Sequence, residues 1–327
     1  MASVTLDYDY DVDHEVAALE TARAEAGVPE RKNGQVLLAS WNVARLGANQ
    51  RREEDYKLLA TMIAWFELVA LQEVRDNLAG LRAIQAGLPD HFRVLFSDTA
   101  GNNERMAFLY DSRKVSPLEE IGEIGFSPRE LTAVRATPVG KPFESFDRTP
   151  HLAAFEAETA RFLLANVHLY YGTATELGRR AAEAFAVASW AERRQGEKHT
   201  YTKNVLALGD FNLPKADPED AIYQALVAKG LRVPKDVATR VGTSLGGGKQ
   251  YDQVVFLPEA ESLLRESGVV QFDDVLFQDL ATAKQRQVLR YRISDHRILW
   301  FALATEDGGR AVRRAGTPRA GELVAPA

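Results

Sequence analysis

The sequence predicts an α+β protein built in layers, with β-sheets packed on one another and helices outside. Three observations predict it. Short apolar runs that end in polar residues recur between residues 35 and 304, joined by hairpin turns or by single amphipathic helices. No glycine-rich loop follows the first of these runs, which argues against a doubly wound nucleotide-binding sheet. No internal repeat and no linker divides the chain cleanly.

Taken in order, residues 1–12 are polar and rich in Asp and Tyr, and are expected to be poorly ordered. From Asp13 to Ala26, Val16, Leu19 and the alanines recur at helical spacing, and Gly27 with Pro29 ends the helix. Gln35 to Asn42 reads as the first core strand. Glu53 to Trp65 follows as an amphipathic helix with Tyr56, Leu59, Ile63 and Phe66 near one face. Leu68 to Gln72 is a second buried strand closing on Glu73, and Leu78 to Leu88 is a helix that stops at Pro89. Phe92 to Phe96 and Glu104 to Tyr110 are strands. The proline- and glycine-bearing segment 112–150 is expected to form irregular hairpins. His151 to Ala157 and Arg161 to His168 form a pair, and Glu176 to Arg194 is a long alanine-rich helix whose arginines are expected on a solvated face. A strand over 203–209 precedes a helix capped by Asp217 with Pro218 behind it and ended by Gly230. Tyr251 to Leu257 and Arg297 to Leu303 complete the strands, and the tail after Thr305 is expected to be disordered.

The balance of residues is that of an ordinary soluble domain: 327 residues, 46% hydrophobic and 26% charged. A net charge of -6 supplies no bulk basic field to draw the chain onto nucleic acid or an anionic membrane, so such contacts would have to be local. The chain has no cysteine, which excludes disulfides, thiolate metal sites and a cysteine nucleophile. No apolar run approaches the ~20 residues of a membrane-spanning helix. The first twenty residues show no secretory signal. The default expectation is therefore a cytoplasmic monomer, with secretion left open, because a mature chain without its signal would read the same. No protein partner is legible.

The stretch Leu206-Ala-Leu-Gly-Asp210-Phe-Asn212-Leu-Pro214 concentrates the chemistry. An apolar run stops at a glycine and delivers a carboxylate and a carboxamide two residues apart, on one side of an extended chain. Alone it fits a turn as well as a site for a hard cation or a phosphate. The same grammar recurs at Trp41-Asn42, Gln72-Glu73, Glu104-Arg105, Asn166-Val-His168, Tyr251-Asp252 and Ser294-Asp295-His296. Seven strand ends carrying acids, amides and two histidines exceed what folding alone requires.

In that order, these motifs resemble the endonuclease/exonuclease/phosphatase superfamily, and its deoxyribonuclease I branch in particular. The matching pieces are Ser40-Trp-Asn42, Leu71-Gln-Glu73-Val-Arg75-Asp76, Glu104-Arg105, Arg148-Thr-Pro150, Val167-His168, Gly209-Asp210-Phe-Asn212, Tyr251-Asp252 and Ser294-Asp295-His296. The resemblance implies a four-layered α/β sandwich, two packed mixed or antiparallel sheets flanked by helices. It places the catalytic domain at residues 33–305, between an acidic extension with a short helix at 1–32 and a tail at 306–327.

The resemblance also implies roles. Glu73 would be the main ligand of Mg2+ or Mn2+, with Asn42 and, in support, Asp210 and Asp295. Asp252 would orient His296, which takes a proton from the attacking water. Glu104 would hold His168, which protonates the leaving oxygen or stabilises the transition state as imidazolium. Asn212 and Arg148 would bind phosphate oxygens, and Arg75 would reach towards the substrate. Such parts suit phosphodiester hydrolysis, in which water must be deprotonated while charge on an anionic phosphoryl group is stabilised.

The implied activity is a metal-dependent phosphodiesterase, in first place an endonuclease acting on DNA or another nucleic acid. Tyr170-Tyr171 could stack on bases, and Lys249, after Gly246-Gly-Gly, would meet a phosphate if its loop borders the cleft. The alternatives are an inositol phosphatase- or sphingomyelinase-like hydrolase and a catalytically inactive binding module. His14, His91, His151 and His199 have no such context and are read as structural or exposed.

Overall fold

Strand β1 (Gln35–Leu46) runs through the middle of a six-stranded sheet, and its alternating side chains feed two different cores. Leu37, Ala39, Trp41 and Val43 face helices, whereas Val36 and Leu38 face a second sheet. The computed structural model describes residues 8–135, 141–173, 176–235 and 240–305, which form eleven strands and seven α-helices.

The first sheet has the order β10 (Leu264–Val270), β11 (Ile298–Ala304), β1, β2 (Leu68–Arg75), β4 (Glu104–Asp111), β3 (Phe92–Phe96). The second has the order β5 (Ser116–Glu123), β6 (His151–Ala157), β7 (Ala160–His168), β8 (Val205–Asp210), β9 (Asp252–Phe256). Each sheet is antiparallel except for one central parallel pair, β1 with β2 and β7 with β8. Parallel neighbours need a crossover, and α2 (Glu53–Ile63) and α5 (Leu177–Gly196) supply it.

Between the sheets lies an apolar layer that includes Leu38, Ala70, Phe108, Phe155, Phe162, Leu208 and Phe301. Outside the first sheet, α1 (Val12–Glu25), α2, α3 (Ala79–Ala86) and α7 (Thr282–Arg292) bury Leu19, Leu59, Ile84 and Leu289. Outside the second, α5 and α6 (Ala221–Val227) bury Phe185, Trp190 and Leu226. Helix, sheet, sheet, helix: this is the expected four-layered sandwich. No helix among the described residues is long and apolar enough to cross a membrane.

One polar pair fixes the sheets against one another, and one glycine tightens the second sheet. Buried Gln72 donates from Nε2 to Asn166 Oδ1 across the interface at 2.7 Å, and Asn166 Nδ2 donates to the carbonyls of Leu71 and Ala107. The amide nitrogens of both residues are satisfied, so the pair sets register without orphaned donors, although Gln72 Oε1 has no partner. Gly209 lets β8 lie tight on β7. Its φ is +139°, and a Cβ there would stand 2.0 Å from the Val167 carbonyl oxygen.

Four elements depart from the sequence reading. Segment 112–150 contains β5 and a helix, α4 (Pro128–Arg135), rather than irregular hairpins, and β10 and α7 were not foreseen. Both unforeseen strands are sheet edges, so their mixed side chains carry no buried alternation. Helix α7 is largely polar and buries Val288 and Leu289 alone of its large apolar residues. The cap of α6 is Asp220, whose carboxylate accepts from Ile222 and Tyr223 N–H, not Asp217.

At the N-terminus, Tyr8 and Tyr10 stack 5.9 Å apart against Phe277, and the Tyr10 hydroxyl donates to Asp55 at 2.7 Å. Residues 8–12 therefore have a packed place. The expected disorder of residues 1–7 and of the tail from 306 concerns residues outside those described.

Candidate active site

The carboxyl-terminal ends of the two parallel strand pairs open into one cleft of about 710 Å³. Asn42 and Glu73 come from the ends of β1 and β2, His168 and Asp210 from the ends of β7 and β8. In register, His168 sits beside Asp210, and Asp210 beside Asp252 at the start of β9. Glu104 opens β4 opposite Arg75, and His296 lies two residues before β11. The cleft is lined by Glu73, Glu104, Arg148, His168, Asp210, Asn212, Asp295 and His296 among others, with Asn42 and Asp252 buried behind it.

Local backbone strain aims two of these groups. Glu73 has φ +59° and Asn212 +51°, left-handed values that a non-glycine residue adopts at a cost. At Glu73 the register of β2 shifts against both neighbours, so the side chain leaves the regular alternation. The Arg45 N–H holds Glu73 Oε2 at 2.8 Å. Asn212 is held by its own N–H to Asp210 Oδ1, 2.8 Å, and by Nδ2 to the Leu169 carbonyl, 2.7 Å.

A compact network joins the acids. Asn42 Nδ2 donates to Glu73 Oε1 at 3.0 Å and to Asp210 Oδ2 at 3.1 Å. Asp252 Oδ2 lies 2.8 Å from His296 Nδ1, a firm carboxylate–imidazole pair. The opposite faces of both rings converge on one atom. Asp210 Oδ2 is 3.6 Å from His168 Nε2 and 3.7 Å from His296 Nε2, attractive but beyond hydrogen-bond length. Glu104 Oε2 approaches His168 Nδ1 at 3.5 Å, and neither atom has a hydrogen-bond partner.

The electrostatics separate the two imidazoles. Burial opposes charge on His296, but Asp252 and Asp210 outweigh it and push the ring up to about 10. Burial, then the Arg148 charge, then His296 itself hold His168 well below the usual histidine range. Burial lifts Asp210 to about 6, and His296 works against that rise. Burial, with Glu73 adding to it, raises Glu104 to about 7. In this charge arrangement the proton rests on His296 while His168 is neutral. The expectation that His296 itself receives the water's proton thus meets a ring that already holds one.

The remaining expected residues have mixed settings. Arg148 donates from Nε to the His168 carbonyl, from Nη2 to that of Leu169 and from Nη1 to Asp147, which leaves a second N–H on each terminal nitrogen. Arg75 donates to the Asn102 carbonyl and lies 3.8 Å from Glu104. Asp295 stands at the rim, 3.8 Å from Arg290 Nε. Lys249 and Tyr171 line the cleft, and His151 is buried with Nδ1 on the Gly122 carbonyl.

Sequence reasoning missed Asp147, Ser244, Leu245, Arg290 and Arg180. Asp147 and Arg290 carry no local signal. Arg180 did carry one, because it is spaced along α5 with Ala184, Val187 and Ala191 on the buried face. It is buried, not on the solvated face expected for the arginines of this helix.

Whether the residues fit a divalent cation is decided at Asn42. Its amide nitrogen serves the Glu73 and Asp210 carboxylates while its buried Oδ1 has no partner. An orphaned amide oxygen on a residue bonded to two carboxylates fits a hard cation. Among the described residues no group of three or more His, Asp or Glu is arranged to hold a metal ion by itself, so most ligands would have to be water and substrate oxygen.

No protein-family model matches this chain, and no curated protein does. Solved structures do. One is an endonuclease/exonuclease/phosphatase family protein from Bacteroides thetaiotaomicron, 18% identical, covering 83% of this chain and 95% of its own, with a TM-score of 0.56. This chain has the endonuclease/exonuclease/phosphatase fold. Mannosyl-6-phosphatase of the same bacterium shares the fold at 17% identity, 82% and 99% coverage and a TM-score of 0.55. D. rerio TDP2, solved with a single strand DNA product, does so at 15% identity, 84% and 100% coverage and 0.57. The endonuclease/exonuclease/phosphatase layout thus extends over 82–84% of the chain.

Proposed function

We propose that the protein is a divalent-metal-dependent phosphoester hydrolase whose substrate is a nucleic-acid phosphodiester, cleaved as by an endonuclease. The observation that carries this reading is the convergence of His168 and His296, each facing its own carboxylate, on Asp210 Oδ2 in one cleft. Acid and base work on opposite sides of a phosphorus atom calls for two such groups.

Glu73 and Asn42 Oδ1 would hold Mg2+ or Mn2+, with Asp295 and Asp210 at hand. Bound there, the cation supplies charge that stabilises the phosphoryl oxygens. The water's proton passes to the Asp210–His296 pair, with Asp252 fixing the ring through Nδ1. Because the resting proton sits on His296, Asp210 is the acceptor within that pair, and the imidazolium balances the charge that accumulates. Glu104 faces His168 Nδ1, so His168 gives its Nε2 proton to the leaving oxygen while Nδ1 takes the proton that Glu104 holds near neutrality. Asn212 and Arg148 keep N–H groups in reserve for phosphate oxygens. Tyr171, over half exposed, forms with Tyr251 an aromatic wall suited to a nucleobase.

The test is a panel: supercoiled plasmid, single-stranded DNA, RNA, an inositol polyphosphate and sphingomyelin, each with Mg2+, Mn2+ or EDTA. Nucleic-acid cleavage that needs the metal is expected. Release of a head group with every nucleic acid left intact would replace the nuclease reading by the phosphatase one. No cleavage under any condition would leave a binding module.

A further inference from the structure

Arg180 is 6% exposed, and its guanidinium lies behind the cleft wall. Its hydrogen bond is a long one, 3.4 Å from Nη1 to the Asn212 carbonyl, and Nε has no partner. Among the described residues no carboxylate comes within ion-pair distance of it. That isolation is unusual. Its neighbours Arg148 and Arg179 each pair with Asp147, and buried Arg292 faces Asp55. A guanidinium cannot shed its proton to escape burial, so it needs an anion or a set of acceptors.

What covers Arg180 is Tyr171, whose ring centre lies 5.5 Å away. A cation–π contact with an exposed ring is a weak substitute for a charged partner. Tyr171 in turn meets Tyr251 edge-on at 6.2 Å, and Tyr251 lies 5.9 Å from the His296 ring. Asn212, which accepts from Arg180, also binds Asp210 through its N–H. The isolated cation is therefore one residue removed from the reacting centre. Lys249 lines the same cleft as Tyr171 and is exposed.

We propose that Arg180 is the floor of a second anion site, which takes a phosphoryl group next to the one being cleaved after Tyr171 turns aside. The inference builds on reading the cleft as a phosphoester site and narrows its substrate to molecules with at least two phosphoryl groups. A planar fork beneath an aromatic lip suits phosphate recognition with two parallel N–H donors, while the tyrosines hold the organic part between the phosphates. The same chemistry arises in a polynucleotide and in a polyphosphorylated cyclitol, and the aromatic wall favours the former.

The test is calorimetric binding to the full chain with Ca2+ in place of Mg2+, which requires no turnover. The ligands are adenosine 5'-monophosphate, adenosine 3',5'-bisphosphate, and inositol mono- and bisphosphate. The native chain is expected to prefer a bisphosphate over its monophosphate by at least about tenfold, and Arg180→Gln to abolish that preference. Arg180→Met serves if the glutamine variant does not fold. Preference within the adenosine pair identifies a nucleotide substrate, and within the inositol pair a cyclitol, and either supports the site. A native chain without preference overturns it, and so does a preference that survives loss of Arg180. Selective binding together with no phosphoester cleavage would sink the hydrolase reading and leave the second site standing.

Discussion

Glu104→Gln should make the metal-free protein more stable and the loaded protein less active. The carboxyl is 5% exposed, one oxygen is unbonded, Glu73 repels it, and Arg75 and Arg148 approach no closer than 3.8 Å. Its folded value, about 7 against an ordinary 4.5, is raised, so the folded state binds the proton more tightly than the unfolded chain. The stability this proton provides is complete below 4.5 and is lost as pH rises through 7. At pH 8 the charge then costs roughly 3 kcal/mol, and at pH 5 less than about 1 kcal/mol. Glutamine carries no charge, so urea unfolding in EDTA should show a gain near 3 kcal/mol at pH 8, or roughly 5 °C in Tm, that shrinks by pH 5. Phosphodiesterase activity with Mg2+ should fall by about 10²-fold, because His168 loses the carboxylate it faces. A variant no more stable than the parent at pH 8, or equally stabilised at both pH values, would refute the reasoning.

Three further outcomes follow from the same geometry. Activity should rise through pH 6 as Asp210 gains its charge and fall near pH 10 as His296 loses its proton. Asp252→Asn should pull the upper limb down, whereas a single limb rising towards pH 10 would make His296 the resting base. Mg2+ should raise the Tm of the parent, and Asn42→Ala should remove most of that rise by deleting the orphaned oxygen. Gly209→Ala should destabilise by at least about 2 kcal/mol in urea unfolding, since its Cβ would meet the Val167 carbonyl.

Of the nine strands legible in the sequence all but the edge strand β3 have a buried face, and burial on one side or both imposes the pattern that periodicity detects. The edge strands β5 and β10 left no such trace, and α7 buries too little to show a stripe. At the site, the expected carboxylates and histidines other than rim Asp295 stand at or within two residues of a strand end, so a run of apolar residues closing on a polar one was a sound guide. What it could not give was aim. The left-handed turn at Glu73 and the convergence of two imidazoles on a single oxygen of Asp210 depend on register between distant strands. Arg180 was misplaced for a different reason. A doubled arginine in an alanine-rich helix reads as solvated unless its spacing with Ala184 and Val187 is weighed above its charge.

Cleavage of a radiolabelled oligonucleotide with Mg2+ and with EDTA, by the parent and by His296→Ala, tests the central claim most directly. Cleavage that requires the metal and falls by 10³-fold or more in the variant is the predicted result. An intact oligonucleotide under every condition, or cleavage indifferent to EDTA and to His296, would contradict it.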